Sequence, residues 1–526
     1  MPTGPGPDPL FVNKPFTRQQ LLVVLIATIV AGALRLYQLG EWSMWVDEAH
    51  TWRDATMPLT GERGFMEEQR RYYPLPFLLL RFLLGVDVIG YDEWSLRIPY
   101  TIVGILTVPV LALCGRRLVG TWPAVFAACL LALNPWHIFW SQNARGYGMA
   151  MLGAVLAMHR LHALFVKGRA IDLLLAVGFV AFTFMSHPPA VSLVLGFLGF
   201  LVVRHSLRPH VRFGKTRILI GAVVLTAVLP WLVSHYELFG DFQDSKGNPS
   251  FVHWVETVAY YFRPSLLLLG VLAVLLAPRV LGRNRAVFVT CMMVVPMLAI
   301  SAIGAQLVKV TARYAICTLP ALMLLGGFVI TEVGRRLRAL PDLTPGRAWL
   351  LASVLPALVV GDFVRLDVAY YQDQHGQRGR WREAAEFVQD AAEKRGFAGL
   401  RLLTVNHPTM LYYLRQRHWF VGEEDPYPHI HIEAVLRWRF EDGKGSNDNV
   451  LHEPGPENHL AWHLEHAAED EQLFAVVVTL PELREEDKSG GLEAAIWRDF
   501  ELAHYLPTWI GPKDASIYIF LPKKSE

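Results

Sequence analysis

The chain has 526 residues, of which 53% are hydrophobic and only 18% charged, with a net charge of +2 and a mean hydropathy of +0.29. Soluble globular proteins carry nearer ~25% charged residues, so a large soluble enzyme is excluded, and nothing in the charge balance calls for a nucleic-acid partner. The apolar residues gather in runs of about 16–22, the length that spans a bilayer's hydrocarbon core, which makes the class a polytopic α-helical membrane protein. Cys114, Cys129, Cys291 and Cys317 all lie inside apolar runs and read as packed thiols, without a disulfide framework or zinc spacing.

In chain order, a polar, proline-rich segment (1–19) comes first, and it is expected in the cytoplasm. Eleven spans follow, at about 20–38, 95–115, 121–140, 146–165, 171–186, 189–203, 217–235, 264–281, 286–304, 314–332 and 347–366. The apolar stretch 75–90 is short and contains Arg81, and reads as a helix lying at the interface. Basic residues collect in alternate loops: Arg116 and Arg117; Arg160, Lys167 and Arg169; the stretch 204–217; Arg279, Arg283 and Arg285; Arg335, Arg336 and Arg338. By the positive-inside rule those loops face the cytoplasm. The first outer loop, 41–94, then faces outward, with loops 141–145, 236–263 and 305–313 and everything after residue 367. The whole unit 20–366 is expected to be the membrane domain.

The tail, 367–526, is a different material. "WREAAEFVQDAAEKRG" predicts an amphipathic helix with Trp381, Ala384, Phe387, Val388 and Ala391 on one face and Gly396 ending it. "LRLLTV" (400–405), "FAVVVTL" (474–480) and "SIYIFL" (516–521) predict strands, so a small α/β extracytoplasmic C-terminal domain is expected. The region 423–472 shows no period and reads as loop and short helix. His459, His463 and His466 fall on one helical face, which reads as solvated, with metal binding the alternative.

The chemistry-bearing residues sit at the outer ends of the spans. "WSMWVDEAHTW" (42–52) places adjacent carboxylates, Asp47 and Glu48, among three tryptophans. Taken alone, such a loop is a solvated interfacial segment with belt aromatics. Against that, polar partners recur nearby. "YDEWSLRIPY" puts Arg97 at the entrance of the second span, where a cation either snorkels or meets an anion. "NPWHIFWSQNARGYG" adds His137, Gln142, Asn143, Arg145 and Tyr147; "FMSHPPA" adds His187; "QLVKVTARYAICTLP" adds Lys309, Arg313 and Tyr314.

This ordered set resembles glycosyltransferase family 39 and the protein O-mannosyltransferase-like enzymes of the GT-C fold, a group that includes aminoarabinose transferase and Rgt-type enzymes. The matching pieces are "WSMWVDEAHT", "YYPLPFLLLRFL", "LRIPYTIVGILTVPVLALCGRRLVG", "LLALNPWHIFWSQNARGYGMAML", "MSHPPA", "ARYAICTLPALMLL" and "GRWREAAEFV". They agree closely in order and spacing over 20–195 and more loosely over 305–390. The resemblance implies a GT-C membrane enzyme that takes a sugar from a polyprenyl-phosphate carrier and transfers it to a hydroxyl of a protein, lipid or glycan. It implies that Asp47 contacts acceptor or metal and that Arg97 holds the lipid phosphate. It further implies residence in a bacterial cytoplasmic membrane. Two positions depart from the pattern. Asn143 stands where the family often has Glu, which leaves a divalent cation open rather than required. Tyr73-Pro74-Leu75-Pro76 replaces the family's His-Pro-Pro.

The chemistry that follows is a single in-line displacement. A polyprenyl phosphate leaves unprotonated and needs charge compensation, for which arginine's planar fork is suited; Arg97, with Lys309 and Arg313, is expected to supply it. A carboxylate takes the acceptor's proton, Asp47 acting and Glu48 orienting it or the acceptor. Burial among Trp42, Trp45 and Trp52 raises that carboxylate's basicity and a neighbouring arginine opposes it. No nucleotide-binding glycine loop is present, in keeping with a lipid-linked donor. A transporter or lipid flippase would instead place ionisable groups at the bilayer midplane in paired halves, and a non-catalytic envelope scaffold of the same fold is the third reading.

Overall fold

The computed structural model describes residues 15–60, 64–67, 73–207, 250–306, 310–415, 429–435, 437–441, 444–450, 455–510 and 513–523. The chain divides into two compact units. The first comprises 1–37, 72–76 and 98–367; the second comprises 38–71, 77–97 and 368–526.

Among the described residues seven helices are long and apolar enough to cross a membrane, or nine if each of two bent pairs is one span. The seven are Arg18–Leu36, Glu93–Val119, Tyr147–Lys167, Pro188–Ser206, Asn284–Gly304, Ala312–Arg338 and Pro345–Gln372. The bent pairs are Thr121–Ala132 with Pro135–Ser141 (63°) and Phe251–Phe262 with Pro264–Val280 (93°). Ala170–Ser186 is a shorter apolar helix where a span is expected, and the expected span 217–235 lies outside the described residues. A helix, Leu75–Gly85, forms within the segment read as interfacial.

The first bend has a sequence cause. Pro135 cannot donate to the preceding turn, and the Asn134 side chain caps the new helix by accepting from the His137 N–H at 2.9 Å. The break takes the carbonyls of Leu131 and Ala132 out of the regular helical ladder. The Leu131 carbonyl accepts the Asn134 N–H at 3.3 Å, and both are reached by the guanidinium of Arg35, at 3.1 and 2.9 Å, from the last turn of the first helix. In hydrocarbon such freed backbone groups must find a partner within the protein, and Arg35, fully buried, serves both. Small residues let the core helices approach: a Cβ on Gly327 would come within 2.1 Å of the Pro123 carbonyl oxygen.

The second unit is built on a five-stranded sheet. Its strands are β1 (Gly399–Thr404), β2 (Ile430–Ala434), β5 (Gln472–Val478), β6 (Phe500–Leu506) and β9 (Ile517–Pro522); β3 (Arg437–Glu441) with β4 (Lys444–Val450), and β7 (Trp509–Ile510) with β8 (Lys513–Asp514), form two small hairpins. The sheet order is β2-β1-β5-β9-β6, with β2, β1 and β5 parallel and β9 and β6 antiparallel. Side chains alternate along each strand. Leu400, Leu402, Ala475 and Val477 meet the helices Trp381–Arg395 and His407–Leu414 on one face. Leu403, Phe474, Val476 and Val478 meet Pro456–Glu469, Leu480–Glu486 and Gly491–Asp499 on the other.

The expected helix runs from Trp381 to Arg395, with Gly396 left-handed at φ 78° as its terminator. Strands β1, β5 and β9 fall on the three expected runs. The region 423–472, read as loop and short helix, instead holds a sheet strand, a hairpin and a 14-residue helix. The histidine face of that helix is not solvated: His459 and His463 are buried, His459 Nε2 lies 3.1 Å from the Val435 carbonyl, and His463 stacks on Phe474.

Candidate active site

The acidic loop of the second unit folds into a helix, Val46–Thr56, with Asp47 and Glu48 in its first turn. Carboxylates are favoured there by the exposed N–H groups of the helix start. Its apolar side forms a small core: Met44, Trp52 and Ala55 join Leu80, Leu84, Leu96 and Tyr412. Trp52 meets Tyr412 edge-on at 5.2 Å. Trp42 lies against Tyr370 and Tyr371, at 5.0 and 5.6 Å between ring centroids. Trp42 and Trp52 are therefore packed into protein rather than spread in an interfacial belt.

The two carboxylates have different fates. Glu48 is fully buried. Its Oε1 accepts from Arg97 Nε at 2.9 Å; its Oε2 accepts from Arg97 Nη2 at 2.9 Å, from Arg378 Nε at 3.2 Å and from the Trp45 N–H at 3.1 Å. Asp47 is half-buried, and its own backbone carbonyl accepts from the Thr51 hydroxyl at 3.0 Å.

Arg97 is equally committed. Beyond Glu48, its Nη1 donates to the carbonyls of Leu39 and Trp42 (2.9 and 3.0 Å), and its Nη2 to Ser43 (2.9 Å). A guanidinium has five N–H groups, and all five of Arg97 are directed at atoms of the 39–48 segment. The sequence expectation that Arg97 clamps a lipid phosphate does not fit this geometry. The residue is buried with no donor left over, and it closes the acidic loop on itself.

Three more residues complete the arrangement. Arg382 donates to Glu93 Oε1 through Nη2 and Nε (2.7 and 3.1 Å) and to the Gly40 carbonyl (2.9 Å). The Tyr413 hydroxyl donates to Glu93 at 2.9 Å and accepts the Met44 N–H at 2.7 Å. Burial, then the charge of Glu93, pushes the Tyr413 hydroxyl above its ordinary pKa, which keeps it a donor. Sequence reasoning singled out none of Arg378, Arg382, Tyr413 or Glu93. The "GRWREAAEFV" match (379–388) contains Arg382 and begins one residue after Arg378, without giving either a role.

The first unit gathers a separate basic and aromatic cluster. Tyr147 lies against Trp140 at 3.7 Å between centroids, the rings tilted by 35°, and meets His187 at 4.5 Å; His187 lies parallel to Tyr314 at 6.0 Å; the Arg313 guanidinium sits 5.4 Å from the Tyr314 ring centroid. Arg145 and Arg313 both lie near enough to His187 for their charges to act on it. The structure thus brings Arg145, Tyr147, His187, Arg313 and Tyr314 together. Gln142 and Asn143 are tied up differently: Gln142 Nε2 caps the Arg35 and Tyr37 carbonyls (3.0 and 2.9 Å), and Asn143 Nδ2 donates to the Phe139 carbonyl (2.5 Å). His137 Nδ1 lies 2.6 Å from Arg35 Nη2. Lys309 lies outside the described residues. Among the described residues no group of three or more His, Cys, Asp or Glu side chains is placed to hold a metal ion.

The family model for dolichyl-phosphate-mannose-protein mannosyltransferases matches residues 74–233. No curated protein matches the chain in sequence. Among solved structures, the chain is similar to ArnT from Cupriavidus metallidurans bound to undecaprenyl phosphate, with a TM-score of 0.52, 14% identity, and coverage of 96% of this chain and 98% of that one. It is also similar to the oligosaccharyltransferase AglB from Archaeoglobus fulgidus in complex with an inhibitory peptide and a dolichol-phosphate (TM-score 0.54, 12% identity, 95% and 74% covered). The apo form of the Archaeoglobus fulgidus oligosaccharyltransferase gives a TM-score of 0.57 at 11% identity, with 96% and 74% covered.

Proposed function

The chain is a multi-pass membrane protein with the GT-C glycosyltransferase fold anticipated from its motifs, and we propose that it moves a sugar from a polyprenyl-phosphate carrier to a hydroxyl acceptor at the outer face of a bacterial cytoplasmic membrane. The observation that carries the assignment of the base is the division of labour between two adjacent carboxylates. Glu48 is consumed by two arginines, whereas Asp47 is half-buried beside it.

In this reaction the acceptor oxygen forms a bond to the anomeric carbon as the bond from that carbon to the phosphate oxygen breaks. The acceptor's proton passes to Asp47, and the electron pair leaves with the lipid phosphate. One displacement inverts the anomeric centre. Positioned proton transfer of this kind contributes about 10²–10⁴-fold. The phosphate needs cationic donors. All five N–H groups of Arg97 serve the 39–48 segment, so we give the role to Arg313 and Arg145, which lie in aromatic surroundings that suit a guanidinium. Two neighbours of the same fold are described with polyprenyl phosphates bound, undecaprenyl phosphate in one and dolichol-phosphate in the other, which supports the choice of donor class.

The test uses the full chain in lipid nanodiscs with a panel of undecaprenyl-phosphate hexoses and pentoses, reading sugar transfer and, separately, binding of undecaprenyl phosphate. Asp47→Asn is expected to lose transfer by about 10²-fold or more while retaining the lipid. Full activity in that variant would refute the assignment of the base.

A further inference from the structure

Building on this reading of Asp47, we infer that Arg378 is a positioning residue, which holds Glu48 from the C-terminal segment and thereby sets the direction in which Asp47 is presented. Asp47 and Glu48 are consecutive on one helical turn, about 100° apart around its axis. Whatever fixes the Glu48 side chain therefore fixes where its neighbour leaves the helix.

Two arginines fix it. Arg97 lies 49 positions away and binds Glu48 together with three carbonyls of the same loop. Arg378 lies 330 positions away and reaches the other carboxylate oxygen, Oε2, with its Nε at 3.2 Å, while its Nη1 donates to the Gly376 carbonyl at 2.6 Å. Its side chain is buried. The planar fork serves both contacts at once, which a lysine's single ammonium cannot reproduce in the same geometry.

The backbone leading to Arg378 is strained. His375, Gly376 and Gln377 have φ of 46°, 61° and 57°. Three successive left-handed residues, two of them not glycine, persist only where surrounding contacts over-determine them. Trp42 supplies such a contact. A Cβ on Gly376 would come within 2.4 Å of its ring, and the Arg378 guanidinium lies 5.8 Å from the ring centroid. The turn is thus shaped around the loop that carries Asp47. One further pair of contacts ties the segments: the Ser43 hydroxyl accepts the Arg382 N–H at 3.0 Å and donates to Glu383 at 3.4 Å.

Arg378→Ala, Arg378→Lys and Gly376→Ala, each in the full chain in nanodiscs, test this with two readouts. The first is amide exchange across 42–52, where the Trp45 N–H depends on Glu48. It is expected to rise in Arg378→Ala and Gly376→Ala relative to the rest of the chain. The second is transfer kinetics. Displacing a reacting group by about 1 Å costs about 10²-fold, so kcat is expected to fall by that factor in Arg378→Ala with KM for the donor little changed. Arg378→Lys should fall between alanine and wild type, and added guanidinium ion should restore part of the alanine variant's kcat. Wild-type kcat in Arg378→Ala overturns the inference. So does a loss of activity that only tracks loss of folded protein, with unchanged exchange at 42–52 and no rescue. If the wild-type chain itself transfers no sugar, the enzymatic reading fails, and the exchange measurement alone decides whether Arg378 holds this loop.

Discussion

Glu48 and Arg97 form a two-point ion pair, Nε to Oε1 and Nη2 to Oε2, both at 2.9 Å, with both side chains fully buried. Removing one partner of such a pair typically costs about 3–5 kcal/mol, because the other is left charged and unsolvated. Glu48→Ala would leave two buried guanidinium groups facing each other. It is expected to lower the melting temperature in detergent sharply and to reduce the yield of folded protein, whereas Asp47→Asn is expected to leave both near wild type. Equal melting temperatures for Glu48→Ala and wild type would contradict the role given to this pair.

Tyr413 bridges the Met44 N–H and the Glu93 carboxylate. Tyr413→Phe keeps the ring, leaves Glu93 to Arg382 and takes the acceptor from the Met44 N–H, at a cost of about 1–3 kcal/mol for a buried group left unsatisfied. A fall in melting temperature is expected, smaller than that of Glu48→Ala. Tyr412→Phe provides the comparison: its hydroxyl donates to the Tyr91 carbonyl at 2.7 Å.

For the lipid phosphate, Arg313→Ala and Arg145→Ala are each expected to raise KM for the undecaprenyl-phosphate donor. Hydrogen bonds to charged groups contribute about 1.5–3 kcal/mol, so the rise should be about tenfold or more. Unchanged KM in both variants would leave the phosphate without its assigned donors.

Glu486, at the end of the helix Leu480–Glu486, has its carboxyl pushed up to about 8 by burial, with Glu482 and Glu485 adding to the effect. A carboxyl whose folded pKa is raised binds more protons folded than unfolded, so its contribution to stability is present at low pH and lost as pH rises through about 8. The melting temperature should therefore decline between pH 6.5 and 8.5, a range set above the ordinary histidine pKa of ≈ 6.5. Glu486→Gln should flatten that decline and stabilise the protein at the upper end. An unchanged slope in the variant would show that another group titrates there.

The parts of the fold that were legible are those written in contiguous apolar residues. Hydropathy located most of the described helices of the first unit, though not Phe251–Phe262, which forms within the expected outer loop 236–263, and the runs at 400–405, 474–480 and 516–521 marked the buried strands β1, β5 and β9. The edge strands β2 and β6 escaped because their burial is partial: "IHIEA" and "FELAHYL" carry polar side chains that an edge tolerates. His459 and His463 were misread because the Val435 carbonyl and the Phe474 ring that enclose them belong to other elements. The same holds for the site. The sequence supplied the charges of Asp47, Glu48 and Arg97, and the ordered motifs supplied their context. It could not say that the counter-ions of Glu48 would include Arg378, or that Arg97 would be spent on carbonyls.

Arg35 bears on how the protein is made. Its acceptors, the Leu131 and Ala132 carbonyls, lie 96 and 97 positions downstream, and a ribosome adds about 5–20 residues per second. The first helix therefore waits roughly 5–20 s after its own synthesis before those groups exist. During that interval the guanidinium has to reach toward lipid headgroups or water. Assembly of this bundle begins with a charge parked at the membrane surface, which is drawn inward only when the third hydrophobic segment arrives and breaks at Asn134-Pro135.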